Sequence, residues 1–111
     1  MVKDNSGYVY LLGNRSERNC FKIGMSKNKD KSRRLKQLQT GAHDELYYLH
    51  TFDTNTPFKL EQMLHNHYKF NKVINEWYVM NSEDIKEFMP LCEEKQKIID
   101  SMADNPFFKR N

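Results

Sequence analysis

Four short stretches carry, in chain order, the residue types that phosphodiester hydrolysis needs: Gly7-Tyr8-Val9-Tyr10, Lys22-Ile23-Gly24, Arg34-Leu35, and Glu61 within Leu60-Glu61-Gln62-Met63-Leu64-His65. A phenol relays or accepts a proton, a guanidinium holds a phosphate through two parallel hydrogen bonds, and a carboxylate carries a hard divalent cation. Tyr10, Arg34 and Glu61 are thus the parts of a one-metal site. Each also has a plainer reading: Tyr10 as a core strand residue, Arg34 as a solvated helix residue, Glu61 as an exposed partner for Lys59 or His65. Tyr10 serves as a base only if a cation such as Arg34 or Lys22 lowers a phenolic pKa that starts near 10.

The pattern of apolar residues places these groups on specific elements. Gly7 to Leu12 alternates as a half-buried strand does, Gly13-Asn14 opens a polar connection, and Cys20 to Met25 makes the second strand of a hairpin. Leu35 and Leu38 mark one side of a short helix from about Lys29 to Gln39, with Thr40-Gly41 as its stop. Glu45 to Phe52 is so rich in Tyr, Leu and Phe that it reads as a central third strand. Thr56 is placed to cap a helix that begins at Pro57 and runs to about Phe70, with Glu61 and His65 one i, i+4 step apart and facing the same cleft. Asn71 to Asn75 breaks the pattern, and Glu76 to Met80 reads as a short extended segment. Asn81 or Ser82 caps a last helix, which Pro90 should kink or divide. The expected fold is α/β, a three-stranded mixed or antiparallel sheet flanked by helices, formed by residues 1–103 with a tail at 104–111 whose Phe107-Phe108 pair packs back or hangs free.

With 111 residues, 38% hydrophobic and 30% charged, the chain has the composition of one compact domain rather than a disordered segment. Cys20 and Cys92 are far apart and form no CxxC pair, which argues against a disulfide framework or thiolate zinc site and for an intracellular, cytoplasmic setting. No apolar run reaches membrane-spanning length, and Met1 to Ser6 lacks the core of a signal peptide. A net charge of +3 says little about nucleic acid, but its distribution says more. Arg15 to Lys36 holds nine Lys or Arg against Glu17 and Asp30, whereas Glu83 to Asp104 is net acidic. Lys27, Lys29, Lys31, Arg33 and Lys36 therefore form a candidate phosphate-binding surface around Arg34.

Strand, strand, helix, strand, helix in this order, with Tyr10, Gly24, Arg34 and Glu61 placed on them, resembles the GIY-YIG endonuclease superfamily, and within it the DNA-binding branch of phages and large viruses. The matching pieces are Lys22-Ile23-Gly24-Met25-Ser26, Arg34-Leu35-Lys36-Gln37-Leu38-Gln39-Thr40, Glu61 with Leu64-His65, and Asn75-Glu76-Trp77-Tyr78, over about Gly7 to Met80. The resemblance implies that Tyr10 acts as general base or orients the attacking water, that Arg34 holds the scissile phosphate, and that Glu61 is the metal-binding carboxylate. It implies Mg²⁺ or Mn²⁺ as cofactor and DNA as partner, with a homodimer, sequential nicking or a protein partner needed to cut both strands. Two positions depart from the superfamily: Lys22 stands for a second Tyr, and Leu38 for a His or Tyr one turn after Arg34. Lys22, Tyr8 or His65 would then have to assist proton transfer. His65 is otherwise a hydrogen-bonded structural histidine, as is His50, while His43 and His67 belong at the surface and Trp77 in the core.

Two other classes fit the same residues. One is a DNA-binding module that keeps the basic surface without cutting; the other is a protein-interaction domain that keeps the fold. Metal-dependent nicking separates the enzyme from both, and salt-sensitive DNA binding separates the latter two.

Overall fold

Tyr8, Tyr10 and Leu12 project from one side of the first strand and Val9 and Leu11 from the other, and all five are buried. A strand apolar on both sides needs a layer on each. The computed structural model, which describes residues 6–27 and 29–103, supplies them. The expected tail at 104–111 lies outside the described residues. The elements are β1 (Gly7–Asn14), β2 (Cys20–Ser26), α1 (Lys31–Thr40), β3 (Leu46–Thr54), α2 (Pro57–His67), a 3₁₀ turn (Lys69–Asn71), β4 (Lys72–Ile74), β5 (Trp77–Val79) and α3 (Ser82–Ala103). The strands form one antiparallel sheet in the order β3-β1-β2-β5-β4. Helices α2 and α3 cover one face, burying Leu60, Leu64, Phe88 and Cys92 against Val9, Leu11 and Ile23. On the opposite face α1 lays Leu35 and Leu38 over Tyr8, Tyr10 and Leu12.

The α/β class is as expected, but the sheet has five strands instead of three. Strand β1 is buried on both faces rather than half-buried. Strand β3, expected to be central, lies at an edge. Its apolar content has another cause: Tyr48 packs into the tyrosine cluster under α1, while Leu49 packs on the α2–α3 side. A register shift lets both happen, because Leu11 pairs with His50 and Leu12 with Tyr48. The segment read as a pattern break contains β4, which turns back into β5 through Asn75 and Glu76, with Asn75 at φ 52°. Asn tolerates the left-handed region that such a turn requires.

Helix ends follow local chemistry. The Asp30 side chain accepts from the Arg33 N–H at 3.1 Å and starts α1 two residues later than the apolar pattern suggests. The Thr56 side chain makes no cap bond to α2; the Thr54 hydroxyl instead accepts from the Thr56 N–H at 3.0 Å. At α3, Asn81 and Asp84 form a reciprocal capping pair at 2.8 and 3.1 Å. Pro90 does not divide α3, which is one helix from Ser82 to Ala103.

Candidate functional site

Strand β2 outruns its neighbour. It pairs with β5 at Cys20, Phe21 and Lys22, and the Ile23 N–H still reaches the Glu76 carbonyl at 3.1 Å, but Gly24 to Ser26 pair only with β1. Groups from both faces of the sheet can meet at this open edge. Tyr10 is opposite Gly24 in the register, and a Cβ built on Gly24 would stand 2.5 Å from the Tyr10 Cζ. The phenol therefore crosses the strand where the side chain is missing. A methyl there would force ring or strand to move, at a cost of about 1–3 kcal/mol.

Arg34 reaches the same place from α1. Its Nε is buried and has no hydrogen-bond partner among the described residues, so the guanidinium retains donor capacity. Arg33, by contrast, is exposed. Burial pushes the Tyr10 hydroxyl above its ordinary pKa; the Arg34 guanidinium, within hydrogen-bonding reach, pulls it down, and the charges of Glu76 and Glu61 add to the rise. The net direction is opposite to what a phenolate base requires. Tyr10 is a neutral phenol at pH 7.

From the other face, α2 presents Glu61 and His65. Burial raises the Glu61 pKa; His65 lowers it, Glu76 raises it, and Lys22 lowers it. Ligand atoms of Glu61, His65 and Glu76 all lie within 4.8 Å of one another. His65 Nε2 is 2.9 Å from the Ile23 carbonyl oxygen, an acceptor only, so Nε2 donates there and Nδ1 is the ring nitrogen left for a ligand. Lys22 Nζ lies 3.5 Å from the Glu76 carboxylate. The donor set suits a divalent cation.

The sequence-derived set Tyr10, Lys22, Arg34, Glu61 and His65 is thus brought together, and Glu76 joins it unforeseen. An Asn between two apolar pairs, Val73-Ile74 and Trp77-Tyr78, is the hairpin signal that would have placed Glu76 beside β2. The Tyr8 hydroxyl is engaged by another tyrosine. The Tyr48 hydroxyl donates to the Lys31 carbonyl at 3.0 Å, which leaves Tyr8 to donate to Tyr48, also at 3.0 Å. Among the basic residues Lys27, Lys29, Arg33 and Lys36 are exposed, whereas Lys31 is held by Asp53 at 3.0 Å and lies over the Tyr8 ring. A cavity of about 540 Å³ between Tyr8, Lys29, Asp53 and Gln96 holds none of the six clustered groups. His43 and His67 are exposed, His50 stacks on Phe88, and Trp77 packs against the tyrosine cluster.

The T5orf172 domain matches residues 7–93, a span that contains every residue of this cluster. The chain belongs to the T5orf172 family. Membership points to a nuclease or DNA-binding role for this T5orf172 domain. No curated protein and no solved structure matches it. No helix among the described residues is long and apolar enough to cross a membrane.

Proposed function

We propose that this T5orf172 domain is a metal-dependent endonuclease of GIY-YIG type that hydrolyses DNA phosphodiester bonds. The observation that carries the reading is the convergence of Tyr10, Arg34 and Glu61, from β1, α1 and α2, at the open edge of β2. Arg34 holds the phosphate and balances the charge that grows on its oxygens. Tyr10, a neutral phenol beside the Arg34 guanidinium, orients the attacking water, whose proton passes to solvent. Glu61 would hold Mg²⁺ or Mn²⁺, whose chemistry is to neutralise the leaving oxygen. The P–O bond to that oxygen breaks as the bond from water forms. One domain holds one such site, so double-strand cutting calls for a second copy, a second event or a partner.

The raised Tyr10 pKa and the Lys22–Glu76 ion pair favour a second reading, a DNA-binding module without cleavage. Supercoiled plasmid incubated with Mg²⁺ or Mn²⁺ decides between them. Nicking that needs the ion and is lost in Glu61→Ala is the expected result; binding without nicking supports the second reading.

Salt dependence tests the basic surface. Lys27→Ala and Lys36→Ala should each lower the slope of log affinity against log salt by about 0.9, because each lost phosphate contact retains one counterion. Lys31→Ala should change it less, since its ammonium is already paired with Asp53. Fluorescence anisotropy with labelled duplex between low and moderate salt reads this directly, and unchanged slopes would place the footprint elsewhere.

A further inference from the structure

The backbone of one residue, Ile23, holds two distant residues, His65 by its ring and Glu76 by its main chain. Its carbonyl accepts the His65 Nε2–H at 2.9 Å, which orients the imidazole and sets its tautomer. Its N–H donates to the Glu76 carbonyl at 3.1 Å, and Asn75 at φ 52° turns the chain into that position. Metal-binding histidines commonly donate their second N–H to a backbone carbonyl in this way. Glu61 stands one helical turn before His65 on α2. Ligand atoms of all three lie within 4.8 Å of one another, close to the roughly 4.2 Å that separates opposite ligands of an ion with bonds of about 2.1 Å.

We propose that Glu61, His65 Nδ1 and Glu76 form one three-ligand metal centre, and that its imidazole makes it prefer a first-row transition dication such as Mn²⁺ over Mg²⁺. The inference rests on the reading of Glu61 as the metal carboxylate and adds two ligands to it. Mg²⁺ keeps oxygen ligands and most of its waters, so a nitrogen donor in a fixed position gains it little. Transition dications accept nitrogen readily, with affinity rising from Mn²⁺ through Co²⁺. A cation already associates with the centre: Lys22 Nζ pairs with Glu76 at 3.5 Å. A bound dication displaces that ammonium, so Lys22 opposes metal entry.

Calorimetric titration of the metal-free full chain with Mn²⁺ and with Mg²⁺, alongside absorption spectra of the Co²⁺ form, tests this without reference to cleavage. One Mn²⁺ per chain is expected, about tenfold or more tighter than Mg²⁺. Glu76→Gln and His65→Gln should each weaken Mn²⁺ by about tenfold to a hundredfold, and Lys22→Gln should tighten it. His65→Gln should also bring the Mn²⁺ and Mg²⁺ affinities together and alter the Co²⁺ bands. Circular dichroism confirms that each variant folds; because His65 also bonds Ile23, Glu76→Gln provides a test independent of that contact. Loss of Mn²⁺ in Glu61→Gln with unchanged binding in Glu76→Gln would overturn the three-ligand centre and leave the enzyme reading standing. Metal-independent nicking by a chain that nevertheless binds Mn²⁺ through all three residues would do the reverse.

Discussion

Under the proposed function, Glu61→Gln is expected to abolish metal-dependent cleavage and to leave the fold and most DNA affinity in place. The substitution removes the carboxylate charge while keeping the shape of a half-buried side chain on α2. Its cost to folding is small, since burial already penalises the charged form of Glu61. Its cost to catalysis is large. Loss of a preorganised group that stabilises transition-state charge typically lowers the rate by about 10²–10³-fold, and losing the ion as well takes cleavage to background. Duplex affinity, which the proposal assigns to the basic residues of the β2–α1 region, should change little. Plasmid nicking measured beside anisotropy on the same preparation checks both halves, and undiminished nicking would assign the ion to another group.

Arg34→Lys keeps the positive charge and, under the same proposal, is expected to lose most of the activity. An ammonium is a point charge, whereas the guanidinium offers a planar fork able to hold two phosphate oxygens at once. Arg34 also sits within hydrogen-bonding reach of Tyr10, and it is the group that lowers the phenol's pKa against burial. Lysine would loosen both relations. Single-turnover cleavage should fall by about 10²-fold, with duplex affinity altered far less. Equal losses in rate and affinity would mean that Arg34 contributes only to general binding.

The residues with these large effects were legible because their signals are local. Tyr10 lies in an alternating strand, Arg34 beside the Leu35–Leu38 stripe of a short helix, and Glu61 one i, i+4 step from His65. What the sequence concealed depends on distant partners. Glu76 is a turn residue whose place follows from β4, and β4 is three residues long with all three exposed, too short and too open to leave an apolar period. The edge position of β3 was hidden because its tyrosines are recruited by α1 and its Leu49 by the helices on the other face. The direction of the Tyr10 shift depends on burial under α1, which no spacing encodes. The tie between Tyr8 and Tyr48 likewise joins residues forty positions apart.

Because the Ile23 amide waits for the Glu76 carbonyl, the order in which the chain leaves the ribosome matters. Tyr10, Gly24 and Arg34 emerge early, and β1, β2 and α1 form through contacts close in sequence. Glu76 emerges more than fifty residues after Ile23, and only then can β5 dock on β2 and bring the last carboxylate beside Glu61 and His65. Such long-range strand pairing closes a large loop and is slow relative to local structure. A nascent chain shorter than β5 therefore carries Tyr10 and Arg34 without the complete acidic cluster. The growing polypeptide can meet nucleic acid before all three groups of the acidic cluster are in place.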